Sequence, residues 1–256
     1  MFCQLNYPAR AAVTLAPARR AAATGSVRSV RTPDDDAAVA PVEPRLAAQL
    51  RRTAADDLYD DSDDPEWTGL EVHGDLAGWE ARRLMVTGCR LDGLVATGAQ
   101  LERARFVDVV FDACELSGAW LEGASFDRVV FRQCRIVGAL AGHARLRNVH
   151  IEGCKLDRTV LLASVAERML VEGSMLVECD LRDARWSGAT LTGCDLAGAD
   201  LGGADLRGAR LYGSQLAALR NVSGLAGAAI DADQLHAVAA LLAADAGIVV
   251  RGGSHG

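Results

Sequence analysis

With 256 residues and a formal net charge of −7, the chain has the length of one or two globular domains, and its acidity argues against a general nucleic-acid binder, which carries a basic footprint. Aromatic residues are only 5% of the chain against 26 glycines, which disfavours a thick two-layer core and suits a narrow one built from Leu, Ala and Cys. No apolar run is long enough for a secretory core or a membrane span, so a cytoplasmic protein without membrane contact is expected.

Residues 1–43 are rich in Ala and Arg, with no acidic residue before Asp34. They have some look of a transit peptide but read better as a disordered extension, running into a linker through Pro33, Pro41 and Pro44. Residues 44–75 hold that linker and a candidate N-terminal cap. Leu46, Leu50, Ala54 and Leu58 fall on one helical face, which predicts a short helix over 45–58 ahead of the acidic run at 56–66.

From Leu76 to Leu216 the chain keeps a period of five. It is clearest at 194–213, where Leu196, Leu201, Leu206 and Leu211 each follow a small residue two places earlier, at Cys194, Ala199, Ala204 and Ala209. Phe106, Phe111, Leu116, Leu121, Phe126 and Phe131 continue the large position backwards. Between 76 and 100 the fit is imperfect: Ala81 and Ala96 underfill the large position, and Leu84 and Leu94 at the small one are the expected compensation. A helix repeats about every 3.6 residues and a strand every 2, so neither holds a period of five on one face. The backbone must turn a corner every five residues.

A second period of twenty lies over the first, in Val109, Val129 and Val149 and in Cys114, Cys134, Cys154, Ser174 and Cys194. Four pentads per square coil would stack these residues at roughly 4.8 Å. Alanines at 141 and 166 occupy large positions and should leave voids costing on the order of 2–4 kcal/mol unless neighbours move in, with Met169 a filler beside Ala166.

This run resembles the pentapeptide-repeat family, whose motif is commonly written A(D/N)LXX, and the resemblance covers a little over half of the chain. It implies an all-β fold: a right-handed quadrilateral parallel β-helix over 76–216, of about seven coils, with the large and small residues pointing inward. The Ala, Arg and Gly bias suggests a GC-rich bacterial genome, as in actinobacteria. Family members that confer quinolone resistance are similar to a DNA duplex in width and negative charge and occupy the DNA groove of gyrase. The resemblance therefore implies a DNA-mimicking topoisomerase modulator as one functional reading.

Residues 217–256 form the last segment. Asp231 to Gln234 make a capping-box start to LHAVAALLAADAG, and Leu235, Val238, Leu241 and Leu242 give one apolar face, ending at Gly247. That face is expected to lid the final coil. In the family such a helix can also form a homodimer contact, which stays open as an alternative.

The sequence offers no constellation for catalysis, no cofactor loop and no metal spacing: inward positions are apolar, the five histidines are scattered, and no CxxC pair exists. The cysteines read as reduced core filler. Function is therefore expected on the outward positions, as a protein-interaction module that binds no nucleic acid directly. Trp120, Leu140 and Val160, spaced by twenty with Leu162 close by, should stack as an apolar strip, a candidate partner surface unless the N-terminal segment or a distorted corner near Gly142 covers it. Arg105, Arg145 and Arg185 make a basic column. Asp180, Asp183, Asp195, Asp200 and Asp205 are the candidate acidic surface for gyrase, although residues 75–216 sum to about two negative charges, against one per 1.7 Å of duplex.

Overall fold

The computed structural model describes residues 39–58 and 64–249. The extension expected over 1–43 thus lies, for residues 1–38, outside the described residues. The described chain is a parallel β-solenoid of about seven turns closed by one short helix. Strands β1 (Arg51–Ala54), β2 (Glu66–Thr68), β3 (Leu70–His73), β4 (Met85–Thr87) and β5 (Arg90–Asp92) lead into four longer ones. These are β6 (Arg105–Asp112), β7 (Ser125–Arg132), β8 (Arg145–Glu152) and β9 (Val165–Glu172), followed by β10 (Thr190–Thr192).

All strand pairs are parallel, and from β6 to β9 the partners lie twenty residues apart, as in Phe106↔Phe126↔Leu146 and Val109↔Val129↔Val149. Like side chains stack on like: the rings of Phe106 and Phe126 lie 5.1 Å apart and those of Phe111 and Phe131 4.6 Å apart, both near parallel. Each long strand bends at a residue with positive φ, namely Asp108, Arg128, Asn148 and Arg168. Most other corners carry glycine, which takes that backbone region without a Cβ penalty.

Polar groups at the small inward position find backbone acceptors. Thr159 Oγ1 donates to the Ile136 carbonyl at 2.7 Å and Ser214 Oγ to that of Leu191 at 3.1 Å. The thiols of Cys114 and Cys179 do the same toward Leu91 and Leu156 at 3.2 and 3.1 Å, which is why Ser, Thr and Cys substitute for Ala there without an orphaned donor. The six described cysteines are free thiols, and burial pushes that of Cys179 up to about 12.

The two alanines at large positions differ. Ala166 stacks beneath Trp186, because Val165 pairs with Arg185 one residue earlier. The fully buried indole fills the space and donates from Nε1 to Ser164 Oγ at 3.0 Å. Ala141 has no such neighbour and lines an apolar cavity of about 50 Å³ together with Met169 and Trp186.

At the N-terminal end the pairing begins at Arg51, ahead of residue 76. The short helix expected over 45–58 is absent: Arg51–Ala54 is a strand paired with Leu70–His73, followed by a 3-10 turn at Ala55–Leu58. Ladder hydrogen bonds along β3 outweigh the four-residue spacing of leucines. Here partners are nineteen residues apart, as in Trp67↔Val86 and Val72↔Leu91, whereas Asp75 pairs with Val95. One residue is therefore missing between Val72 and Leu76, at the corner of Gly74, whose φ is 113°. Trp67 stacks on Trp79 at 5.4 Å and fills this end of the tube, with Leu84 and Leu94 buried beside them.

Before β1, residues 39–50 run as a strap along the corner of the long strands. The amide of Val42 donates to Asn148 Oδ1 at 3.3 Å and that of Arg45 to Asp108 Oδ1 at 2.9 Å. Three extended residues span about 10 Å, which matches two coil spacings of about 4.8 Å. Pro41 and Pro44 favour that extended course.

At the other end the coil continues past Leu216: Leu219 and Val222 are buried, and Ala229 bridges to Arg210. The capping box of Asp231 and Gln234 is formed, and Gln234 Nε2 also reaches the carbonyls of Leu211 and Ser214. These contacts tie α1 (Leu235–Asp245) to the last coil. No helix among the described residues is long and apolar enough to cross a membrane.

Candidate functional site

The outward position preceding each large residue of one face forms a continuous column. Parallel bridges link Gln100, Trp120, Leu140, Val160, Asp180 and Asp200 in that order. The apolar middle of this column is open: Trp120 is 42% and Leu140 37% exposed, with Val160 and Leu162 half-buried. Leu162 sits across the face from the column, its carbonyl accepting the amide of His143 at 2.8 Å. Trp120, Leu140 and Val160 are thus stacked in one column, while Leu162 lies two residues beyond Val160 on the adjoining backbone. The described strap, 39–50, follows the corner of Asp108 and Asn148 instead, and Trp120 and Leu140 stay exposed.

A second outward apolar column escaped the sequence reading. Val110, Val130, His150 and Leu170 stack through β6 to β9, and Val110 and Val130 are buried although they point away from the tube. They lie beside the corner that carries the strap. The signal was available in the two valines that directly precede Phe111 and Phe131, where most coils place a polar residue.

The acidic residues do not form one surface. Only Asp180 and Asp200 stack; Asp195 and Asp205 stand on other columns, paired to Met175 and Arg185, and Asp183 lies at a positive-φ corner. Arg182 holds Asp180 through bonds of 2.8 and 2.6 Å, and Arg207 holds Asp205 at 2.9 and 2.6 Å. The guanidinium in each case keeps the carboxyl below its ordinary range. Asp200 accepts from Asn221 Nδ2 at 2.7 Å and lies 3.8 Å from Arg220. Asp195 accepts the amide of Ala197 at 2.9 Å. The repeated Asp-Leu-Arg at 180–182 and 205–207 is the sequence signal for this pairing, because residues on either side of an inward one both point outward.

On α1, Val238 is buried and Leu241 packs on the core, while Leu235 and Leu242 are 61% and 47% exposed. The helix face is split between lid and solvent. Among the described residues no cluster of three or more His, Cys, Asp or Glu is placed to hold a metal ion.

No curated protein matches this chain. Among solved structures, trypsin-treated QnrB1, a plasmid-mediated fluoroquinolone resistance protein, is similar at 22% identity over 80% of this chain and 100% of its own, with a TM-score of 0.32. HetL of the cyanobacterium Nostoc sp. strain PCC 7120, involved in regulating heterocyst differentiation, aligns at 20% identity over 73% of this chain and 92% of its own, TM-score 0.28. A pentapeptide repeat protein of the Arabidopsis thaliana thylakoid lumen aligns at 20% identity over 43% and 67%, TM-score 0.19. Pentapeptide repeats match in eight copies over residues 89–128, 124–161 and 175–213. With the five-residue corners, the twenty-residue stacking and the eight matched copies in agreement, residues 89–161 and 175–213 of this chain are pentapeptide repeats.

Proposed function

We propose that the protein is a non-enzymatic interaction module whose contact surface is the open column at Trp120, Leu140 and Val160, with Leu162. The observation that carries this reading is the stacking of exposed apolar groups: Trp120 and Leu140 stay open to solvent one above the other, with Val160 half-buried next in the column, whereas Val110 and Val130 of a second outward column are buried. Apolar strips left bare on a soluble surface commonly mark a contact. The ladder holds them rigidly, so docking costs little ordering of this side.

The test is a photo-crosslinking residue at position 140 in cells that express the protein. A discrete cross-linked protein is expected, and Trp120→Asp should abolish it with no change in melting temperature. Undiminished capture by Trp120→Asp removes the reading.

Topoisomerase modulation by imitation of DNA takes second place. Asp183 and Asp195 are without ion pairs among the described residues, but Asp180, Asp200 and Asp205 are matched by arginines, so little uncompensated charge remains to stand in for phosphates. Gyrase supercoiling unaltered by excess protein, with and without a fluoroquinolone, would eliminate it.

A further inference from the structure

The surface carries two populations of arginine. Arg128, Arg135, Arg147, Arg182 and Arg207 each sit against a carboxylate. Arg105 and Arg145 are exposed and, among the described residues, form no ion pair. They belong to one column, two coils apart, with Ser125 between them through Arg105↔Ser125 and Ser125↔Arg145. At about 4.8 Å per coil the two stems stand ~10 Å apart over a short hydroxyl side chain. That arrangement is a notch. It joins a depression of about 640 Å³ that includes Trp120 to one of about 470 Å³ that includes Val107, and Arg105, Ser125 and Arg145 line both.

We propose that this notch receives an acidic segment of a partner polypeptide, with carboxylates between Arg105 and Arg145 and an adjacent bulky apolar side chain on Trp120 and Leu140. The proposal rests on the interaction reading above and names the chemistry of the partner. Guanidinium forks free of internal carboxylates match a carboxylate in bidentate geometry. The apolar column begins beside them, so a segment crossing the corner meets both surfaces at once. Carboxylates of the protein itself choose between polyanions. Glu102 and Glu122 line the first depression and Asp127 and Glu167 the second. A nucleic acid, charged at every residue, runs into these groups, whereas a peptide confines its charges to the notch and offers backbone N–H donors to the glutamates.

Trp120 supplies the readout. The other three tryptophans, Trp67, Trp79 and Trp186, are 3%, 5% and 2% exposed, so a change in quenchable emission reports on this site. The probe is a short fluorescein-labelled peptide alternating glutamate and leucine, titrated by anisotropy against the full chain. Saturable binding with a blue shift of Trp120 emission is expected, weakened at least about tenfold by Arg105→Glu with Arg145→Glu and by Trp120→Ala. Lysine at both arginine positions should fall between, because it keeps the charge without the fork. All these positions are exposed, so circular dichroism and melting should stay as in the wild type.

Equal affinity in the charge-reversed variant, no binding of the acidic peptide, or tighter binding of a single-stranded oligonucleotide overturns the proposal. If the peptide fails while Trp120→Asp still abolishes cross-linking from position 140, the chemistry assigned to the notch is wrong and the interaction surface stands. If both fail, the surface itself is wrong.

Discussion

Val110 and Val130 occupy the same place in the repeat as Trp120 and Leu140, each directly before the inward position that normally holds a large residue, filled by Phe111, Phe131 and Leu121 but by alanine at 141. The two valines are 6% and 2% exposed, Trp120 and Leu140 42% and 37%. Both columns are joined coil to coil by parallel pairing, the valines within eight-residue strands and Trp120 and Leu140 through isolated bridges between turns. The valines also lie beside the corner where the strap is anchored, at Asn148 and Asp108, whereas Trp120 and Leu140 lie away from those anchors. An outward apolar residue on a solenoid is therefore a free surface only after the chain's own non-repeat segments have been placed.

The largest effect expected from this contrast is at Val130. Val130→Asp puts a carboxylate where solvent does not reach, and should cost about 3 kcal/mol in chemical denaturation. Trp120→Asp should stay within about 1 kcal/mol, since its carboxylate is hydrated. Equal costs at the two positions would mean that the two columns are not differently covered.

The anchor comes next. Asp108 accepts the amide of Arg45 at 2.9 Å and two bonds from Arg128 at 2.7 and 2.8 Å. Asp108→Ala should cost about 1–2 kcal/mol and accelerate hydrogen exchange at the Arg45 amide without touching the ladder of β6. The same bond makes the strap sensitive to acid. Arg128 holds the Asp108 carboxyl below its ordinary value, which is about 3.9. Its contribution is complete above that value and is lost as the pH falls through the depressed one. Exchange at Arg45, corrected for intrinsic rate, should be flat from neutrality down to about pH 4 and rise only below it.

How much of this was legible depends on whether the period was intact. From Leu101 to Leu216 every coil keeps twenty residues, so Trp120, Leu140 and Val160 could be stacked by counting. The single residue lost at Gly74 hides the first coils: counting back by five from Leu76 reaches Glu71 and Glu66, while the inward residues are Val72 and Trp67. The strap was less legible still. Its prolines read as a linker, and its acceptors, Asp108 and Asn148, lie 63 and 106 residues away at corners where glycine is commoner. The filling of Ala166 by Trp186 was within reach, because the two are twenty apart, but it required comparing residues between coils as well as along the chain.

The smallest effect should come from Leu140→Gln. The ladder at this position is made by the backbone, from Leu140 N to the Ala119 carbonyl at 2.9 Å and from Leu121 N to the Leu140 carbonyl at 2.7 Å, and neither bond involves the side chain. A glutamine has nearly the same reach, and with a third of the residue already in water its amide can be hydrated where the leucine was merely tolerated. The expected change in stability is within about 0.5 kcal/mol by denaturant titration. A loss well beyond that would show that Trp120, Leu140 and Val160 hold the coil together as a packed ladder, which would turn the open column from a surface kept for a partner into a second structural seam and leave the contrast with Val130 without its functional meaning.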